Sequence, residues 1–146
     1  MAYDENWRGG PVSGPVASIG WVERAVSELE RLVPPGRIWL GVPLYTREWE
    51  ETSVDGQWKK TGALALSMAD AETRLARNGA SVTWDPLLGL RYWEYLKDGK
   101  RYRIWLEDER SLALKAGLAA RYGLGGVAAW RRGFEKPGAW KALASL

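Results

Sequence analysis

Residues 37–45 read RIWLGVPLY, a single charged residue followed by an almost unbroken apolar run. Such a run lacks the polar alternation of a half-exposed strand, so it predicts a strand buried on both faces, as in a parallel sheet. An amphipathic helix is predicted just before it, over residues 19–33, from apolar residues at steps of three and four: Ile19, Val22, Val26, Leu29 and Val33. The segment Pro34-Pro35-Gly36 ends that helix. A helix followed by a buried strand is half of a βα repeat, so this part of the chain predicts an α/β fold.

The same order of elements returns near the other end of the chain. Residues 109–123, ERSLALKAGLAARYG, predict a helix closed by Gly123. Residues 124–130, LGGVAAW, predict a second buried strand that ends in a polar, glycine-containing stretch. Pro137 then begins a short last helix, in which Trp140 and Leu143 are expected to face inward.

The residues between these two parts have a different character. The stretch WEETSVDGQWKKTG is polar and rich in turn residues, and a short helix follows it, with Ser67 and Asp70 as a capping box and Gly79 at its end. SVTWD, RYWEYL and RYRIWLED predict short antiparallel strands, two of them joined by a turn at Asp98-Gly99. We therefore interpret residues 46–107 as an α+β insertion domain. Residues 1–45 and 108–146 form the α/β part.

Composition excludes several kinds of site. The chain has 146 residues with no cysteine and no histidine, so it contains neither a thiolate metal site nor a Ser-His-Asp or Cys-His catalytic site, and no cofactor is expected. Its net charge of +3 is too small to indicate a nucleic-acid partner. No apolar run approaches the roughly 20 residues of a membrane span, and no signal peptide is visible, so no membrane partner is expected. Tryptophan is unusually frequent, at 10 residues, which raises the possibility of stacking against sugars.

Three predicted strand ends carry polar or aromatic residues. Tyr3-Asp4 follows the first, Tyr45 with Arg47 the second, and Trp130 the third. In a parallel α/β barrel these carboxyl ends converge on the face that holds the active site. A tyrosine, a carboxylate and a tryptophan on that face suit a sugar pocket.

Each candidate has a simpler interpretation. Tyr3-Asp4 could cap an irregular chain start, and Tyr45 and Trp130 could pack in the core, the commoner fate of a strand tryptophan. Trp39 and Trp105 are interpreted as packing residues, and packing is also favoured for three tryptophans of the insertion: Trp58, Trp84 and Trp93. Glu94, Glu107 and Asp108 are considered as catalytic carboxylates, but the sequence pattern gives them no pocket, and Asp108 fits better as a helix N-cap.

Five segments, in order, resemble the C-terminal part of family 18 glycoside hydrolases, in the spore-cortex-lytic and chitinase-like branch. They are MAYDENW, GPVASIGWVERAV, IWLGVPLYTREW, VTWD and YRIWLEDERSLALKAGLAARYGLGGVAAWRRGFE. The resemblance implies a partial (β/α)8 TIM-type barrel that starts inside the sixth strand and comprises the last three strands and helices. It also implies that the α+β insertion follows the seventh strand.

The resemblance further implies roles for individual residues. Tyr3 and Asp4 would hold the N-acetyl group of the substrate and support the catalytic acid, Tyr45 would line the cleft, and Trp130 would form the floor beneath the reacting sugar. The family hydrolyses N-acetylated glycans with the substrate's own acetamido oxygen as nucleophile, an exception to the two-carboxylate scheme. Its general acid ends a DxxDxDxE motif, and this sequence does not contain that motif.

The expected function is therefore that of a C-terminal portion of a family 18 glycosidase, acting on chitin or peptidoglycan and inactive alone. The alternatives are a non-catalytic carbohydrate-binding or interaction module, and a truncated chain with no function of its own. The expected partners are an N-acetylated glycan and either a second copy of the chain or a missing N-terminal half of the barrel, because open strand edges favour association.

Overall fold

The chain forms two sheets in the computed structural model, which describes residues 1–79 and 81–144. The four helices of these residues are α1 (Ile19–Leu29), α2 (Met68–Asn78), α3 (Glu109–Arg121) and α4 (Pro137–Ala144). The strands are β1 (Trp39–Pro43), β2 (Tyr45–Val54), β3 (Gln57–Ser67), β4 (Thr83–Asp85), β5 (Leu90–Lys97), β6 (Lys100–Leu106) and β7 (Gly126–Trp130). No helix in the described part of the chain combines the length and the hydropathy that crossing a bilayer requires.

Strands β1 and β7 form a parallel pair, in register from Trp39 opposite Gly126 to Pro43 opposite Trp130. All residues of β1 after Trp39 are buried, as the apolar run predicts. Helices α1, α3 and α4 cover this pair, and their packed side chains form the larger core. This part of the molecule is therefore α/β, as expected.

The expected third parallel strand, ending at Tyr3, is not formed in the described residues. Ala2 N donates to Gly41 O at 3.0 Å, and this is the one backbone hydrogen bond that joins the described start of the chain to β1. Asp4 then adopts a left-handed conformation with φ of 65°, and Glu5 N donates to Val16 O. The backbone thus turns into a loop before it can extend a ladder along β1.

Two helix predictions need correction. The helix predicted over residues 19–33 ends at Leu29, because Leu32 N and Val33 N both donate to the Leu29 carbonyl and tighten the backbone into a turn. In α4, Leu143 is buried as predicted but Trp140 is exposed. Ala139 is the inward neighbour of Leu143, because residues four apart share one helix face.

The second sheet is antiparallel, with the strand order β3-β2-β6-β5-β4. It contains the three predicted short strands, and Asp98 and Gly99 form a two-residue turn with φ of 51° and 73°. Helix α2 packs on it and begins as predicted, with the Ser67 hydroxyl accepting from Asp70 N at 3.1 Å. This sheet lies within residues 46–107 apart from Tyr45, and the domain boundaries stay a prediction.

The stretch from Trp49 to Gly62, predicted to be turn-rich, is instead most of a long hairpin formed by β2 and β3. Its turn is Asp55-Gly56, with φ of 53° and 75°. These strands lack the apolar alternation that identifies a strand in a sequence, because some of their buried residues are charged. Glu48 and Glu51 are buried on opposite faces of the sheet, where Tyr95 and Arg101 donate to their carboxylates. The Asp-Gly dipeptide was the available signal.

A fully buried ion pair joins the sheet to α3. Lys115 Nζ lies 2.8 and 3.1 Å from the carboxylate oxygens of Glu107, and Ser111 Oγ donates to the same carboxylate at 2.8 Å. Asp108 caps α3 through Ser111, which confirms the predicted N-cap. Burial raises the pKa of Glu107, while Lys115 and Ser111 act in the opposite direction. Removing either partner would therefore leave the other charge buried without compensation and would destabilise the fold.

Candidate functional site

Asp4 is the centre of a polar cluster at the junction of the two sheets. Tyr45 Oη donates to Asp4 Oδ1 at 2.6 Å, and Arg47 Nη2 donates to the same oxygen at 2.7 Å. The edge of the Tyr3 ring lies against Tyr45, with ring centroids 6.1 Å apart and an interplanar angle of 81°. The structure thus brings together three of the four predicted site residues, with Arg47 in addition.

Local backbone geometry explains this arrangement. The left-handed turn at Asp4 directs the chain away from β1, and Tyr45 and Arg47 lie two residues apart on β2, so they share one face of the strand. The Arg47 guanidinium also lies 5.4 Å from the centroid of the Tyr45 ring. Two donors on one strand therefore reach a single carboxylate oxygen.

The cluster exposes its carboxylate and buries its donors. The Asp4 side chain is 43% exposed, against 12% for Arg47, and Tyr45 is buried. Burial and the hydrogen bond to Asp4 both raise the pKa of Tyr45, so the hydroxyl stays protonated as a donor. Among the described residues none donates to Asp4 Oδ2, which leaves this oxygen available to accept from a ligand.

Trp130 is connected to the cluster through the backbone. It ends β7 opposite Pro43, and its carbonyl accepts from Leu44 N at 2.5 Å, one residue before Tyr45. The indole is 55% exposed, which argues against the packing interpretation. Within the described part of the chain, its ring makes no aromatic contact with Tyr3 or Tyr45. Trp130 therefore contributes an open ring face beside the cluster.

The other aromatic predictions have mixed outcomes. Trp105 and Trp93 are buried as predicted, but Trp39 is 64% exposed, so the packing interpretation of Trp39 is wrong. Trp39 is at the amino end of β1, where its ring lies over Gly125 and Gly126 and not inside the core. Trp39 and Trp130 are thus exposed indoles at opposite ends of the same parallel pair.

The sequence pattern gives Arg47 a place beside Tyr45 but no role, and the structure pairs it with Asp4. The i, i+2 spacing from Tyr45 was the available signal. The three carboxylates considered as catalytic candidates lie elsewhere: Glu107 and Asp108 are buried at the start of α3, and Glu94 accepts from Tyr92 on the sheet. None of the three joins the Asp4 cluster.

Comparison with known proteins identifies relatives over almost the whole chain. Residues 1–135 match the family described as glycosyl hydrolases family 18. The cortical fragment-lytic enzyme of Bacillus anthracis is 28% identical over 144 residues, covering 98% of this chain and 33% of that enzyme. The chain therefore spans about a third of the length of the curated relatives it matches.

Solved structures agree with this match. The chitinase of Chromobacterium violaceum ATCC 12472 superposes with a TM-score of 0.86 at 32% identity, covering 98% of this chain and 43% of that one. The spore cortex-lytic enzyme SleL of Bacillus megaterium QM B1551 gives a TM-score of 0.83 at 26% identity, covering 98% of this chain and 32% of that one. The mixed α/β fold described above is thus similar to that of chitinase structures.

Proposed function

Because the chain belongs to glycosyl hydrolases family 18, we propose that it supplies the N-acetyl-binding side of a glycosidase that cleaves chitin-type or peptidoglycan-type glycans. In this proposal β1 and β7 are neighbouring strands of a (β/α)8 barrel, and residues 46–107 form the wall of its cleft. The observation that carries the proposal is the Asp4 cluster, an exposed carboxylate whose donors are buried, beside the exposed indole of Trp130.

The proposed chemistry is substrate-assisted hydrolysis. The acetamido oxygen of the sugar attacks its own anomeric carbon and breaks the glycosidic bond, while a glutamic acid protonates the leaving oxygen. Water then attacks the same carbon and opens the cyclic intermediate, returning the proton to the glutamate. Asp4 Oδ2 accepts from the acetamido N–H and turns the acetamido oxygen toward the anomeric carbon, while Tyr45 and Arg47 fix the carboxylate through Oδ1. Trp130 stacks under the reacting sugar. The glutamic acid belongs to a DxxDxDxE segment outside this sequence, so the chain alone binds without turning over.

Replacing Trp130 by alanine tests this proposal. Covering about 60 Å² of apolar sugar and indole surface at about 25 cal/mol per Å² stabilises the complex by roughly 1.5 kcal/mol, so Trp130→Ala should weaken binding of an N-acetylglucosamine oligomer about tenfold. Isothermal titration calorimetry measures the effect. Trp39→Ala is the matched control, because it removes a similarly exposed indole from the other end of the parallel pair. Equal affinities for the two variants would argue against a sugar on Trp130.

Self-association is a further expected property of this chain. Among the described strands β7 pairs with β1 alone, which leaves one edge of the parallel pair without a ladder. An apolar groove of about 390 Å³ lies beside β1 and is lined by exposed Leu29, Leu32 and Trp39. Open edges and apolar patches drive association, so light scattering should show a homodimer. A stable monomer at high concentration would contradict this expectation.

A further inference from the structure

A second groove lies on the outer face of the antiparallel sheet, beneath the loop at residues 11–13, with a volume of about 580 Å³. Glu51 on β2 pairs with Lys60 on β3 and with Arg101 on β6. Directly paired residues lie on the same face of a sheet, and so do residues two apart in one strand. Trp58 and Arg103 therefore join this face. The groove is a product of strand register, which brings together residues from three strands.

The charge in this groove is strongly unbalanced. Four cationic residues line it, against the one carboxylate of Glu51: Lys60, Arg101 and Arg103, whose strand positions share this face, and Lys59, the neighbour of Lys60 on β3. Glu51 is buried and already engaged, with Arg101 Nε at 2.7 Å and Arg103 Nη1 at 3.5 Å. The lining residues thus carry a formal excess of +3, which Glu94 partly offsets from outside the lining, 3.9 Å from Arg103 Nε.

Lys60 also lies near a further cation outside the groove. Its ammonium donates to the carbonyls of Arg8 and Gly10, and burial lowers its pKa, with repulsion from the Arg47 guanidinium as the second cause. The cations extend from the Asp4 cluster, through Arg47 and Lys60, to the groove. A wall of one sign of charge attracts ligands of the opposite sign.

The groove also offers an aromatic surface. Trp58 is 38% exposed, and the Arg101 guanidinium lies 5.0 Å from the centroid of its ring. Guanidinium groups bind carboxylates in a planar, often two-point geometry, and an indole accepts the apolar face of a sugar. A ligand that satisfies both features carries carboxylates on a carbohydrate.

The position of the groove indicates a polymeric ligand. Glu51 follows Tyr45 by six residues on the same strand, which places the groove roughly 20 Å along β2 from the Asp4 cluster. We propose that this groove binds the carboxylates of a peptidoglycan-type glycan and so gives the protein a preference for acidic peptidoglycan fragments over neutral chitin. This inference rests on the proposed function, whose substrate class it narrows.

Calorimetry with three probes tests the inference: soluble peptidoglycan fragments with free carboxylates, the same fragments with the carboxylates amidated, and a neutral N-acetylglucosamine oligomer. The unchanged chain should bind the free acids about tenfold more tightly than the amides. Lys59→Glu should remove most of that advantage and leave binding of the neutral oligomer unchanged, whereas Trp58→Ala should weaken binding of the free acids. Lys141→Glu, which changes an exposed charge on α4, is the matched control and should retain the advantage.

The outcomes separate this inference from the proposed function. Equal affinity for acids and amides, or an advantage that survives Lys59→Glu, overturns the carboxylate site, whatever Trp130→Ala does. Loss of the advantage in Lys59→Glu, with no effect of Trp130→Ala on any probe, supports the groove and overturns the proposed function. An oligonucleotide that binds more tightly than the acidic fragments, with the same sensitivity to Lys59→Glu, would overturn the carbohydrate assignment.

Discussion

Lys115→Met is expected to lower the free energy of unfolding by about 3–5 kcal/mol at neutral pH. The substitution keeps an unbranched side chain of similar length, but among the described residues it leaves the fully buried carboxylate of Glu107 with Ser111 as its remaining side-chain donor. A buried charge without its counter-charge keeps its desolvation penalty and loses the attraction that offset it. Urea denaturation followed by circular dichroism measures the change.

Two control variants test whether the loss of stability comes from burial of the charges or from loss of the ion pair alone. Lys100→Met breaks a pair of similar length, 2.9 Å to Glu50, whose lysine side chain is 41% exposed, and it should cost far less stability than Lys115→Met because water screens the pair. The double variant Glu107→Leu with Lys115→Met removes both buried charges and should regain most of the lost stability. Equal losses for Lys115→Met and Lys100→Met would show that burial of the pair contributes nothing.

The loss should also depend on pH. Burial raises the pKa of Glu107, and removing Lys115 removes the main opposing influence, so the folded variant holds a proton that the unfolded chain releases above its ordinary pKa of about 4.3. The folded state then binds more protons, and stability falls as pH rises through this range. Lys115→Met should therefore be less damaging at pH 4 than at pH 7, and a larger loss at pH 4 would contradict this sign.

The purified chain is expected to show no measurable hydrolysis of a chromogenic N-acetylglucosamine oligomer. General acid catalysis by itself contributes about 10²–10⁴-fold to such reactions. In the proposed mechanism the acid belongs to a DxxDxDxE motif, which this sequence does not contain. The chitinase of Chromobacterium violaceum serves as the positive control under the same conditions.

Complementation makes this prediction sharper. Adding a polypeptide that carries the DxxDxDxE segment of a family 18 relative should restore turnover, and Asp4→Asn should reduce the restored rate. Binding that persists without turnover in any mixture would favour a non-catalytic carbohydrate-binding module. Hydrolysis by the pure chain, abolished by mutating one of its own carboxylates, would show that the acid lies within these 146 residues.

Local patterns in the sequence predicted those elements whose signals lie within a few residues of one another. The apolar run before Tyr45 predicted a buried strand, the spacing of Ser67 and Asp70 predicted the start of α2, and Asp98-Gly99 predicted a hairpin. Each of these signals acts through backbone conformation or a neighbouring hydrogen bond, and needs no distant partner. The β2–β3 hairpin was missed because its polar residues become buried only after the strands pair.

The sequence by itself therefore determined the α/β character of the chain, the paired strands β5 and β6 with their turn, and the choice of four site candidates. Only the tertiary structure decided that Asp4 holds Tyr45 and Arg47, residues 41 and 43 positions away, and that Glu107 is buried against Lys115. It also decided that Trp39 faces outward and that four cations meet beside Trp58. The physical reason is range: helix caps and turns act between near neighbours, whereas charge pairing and burial depend on which distant strands the fold brings into register.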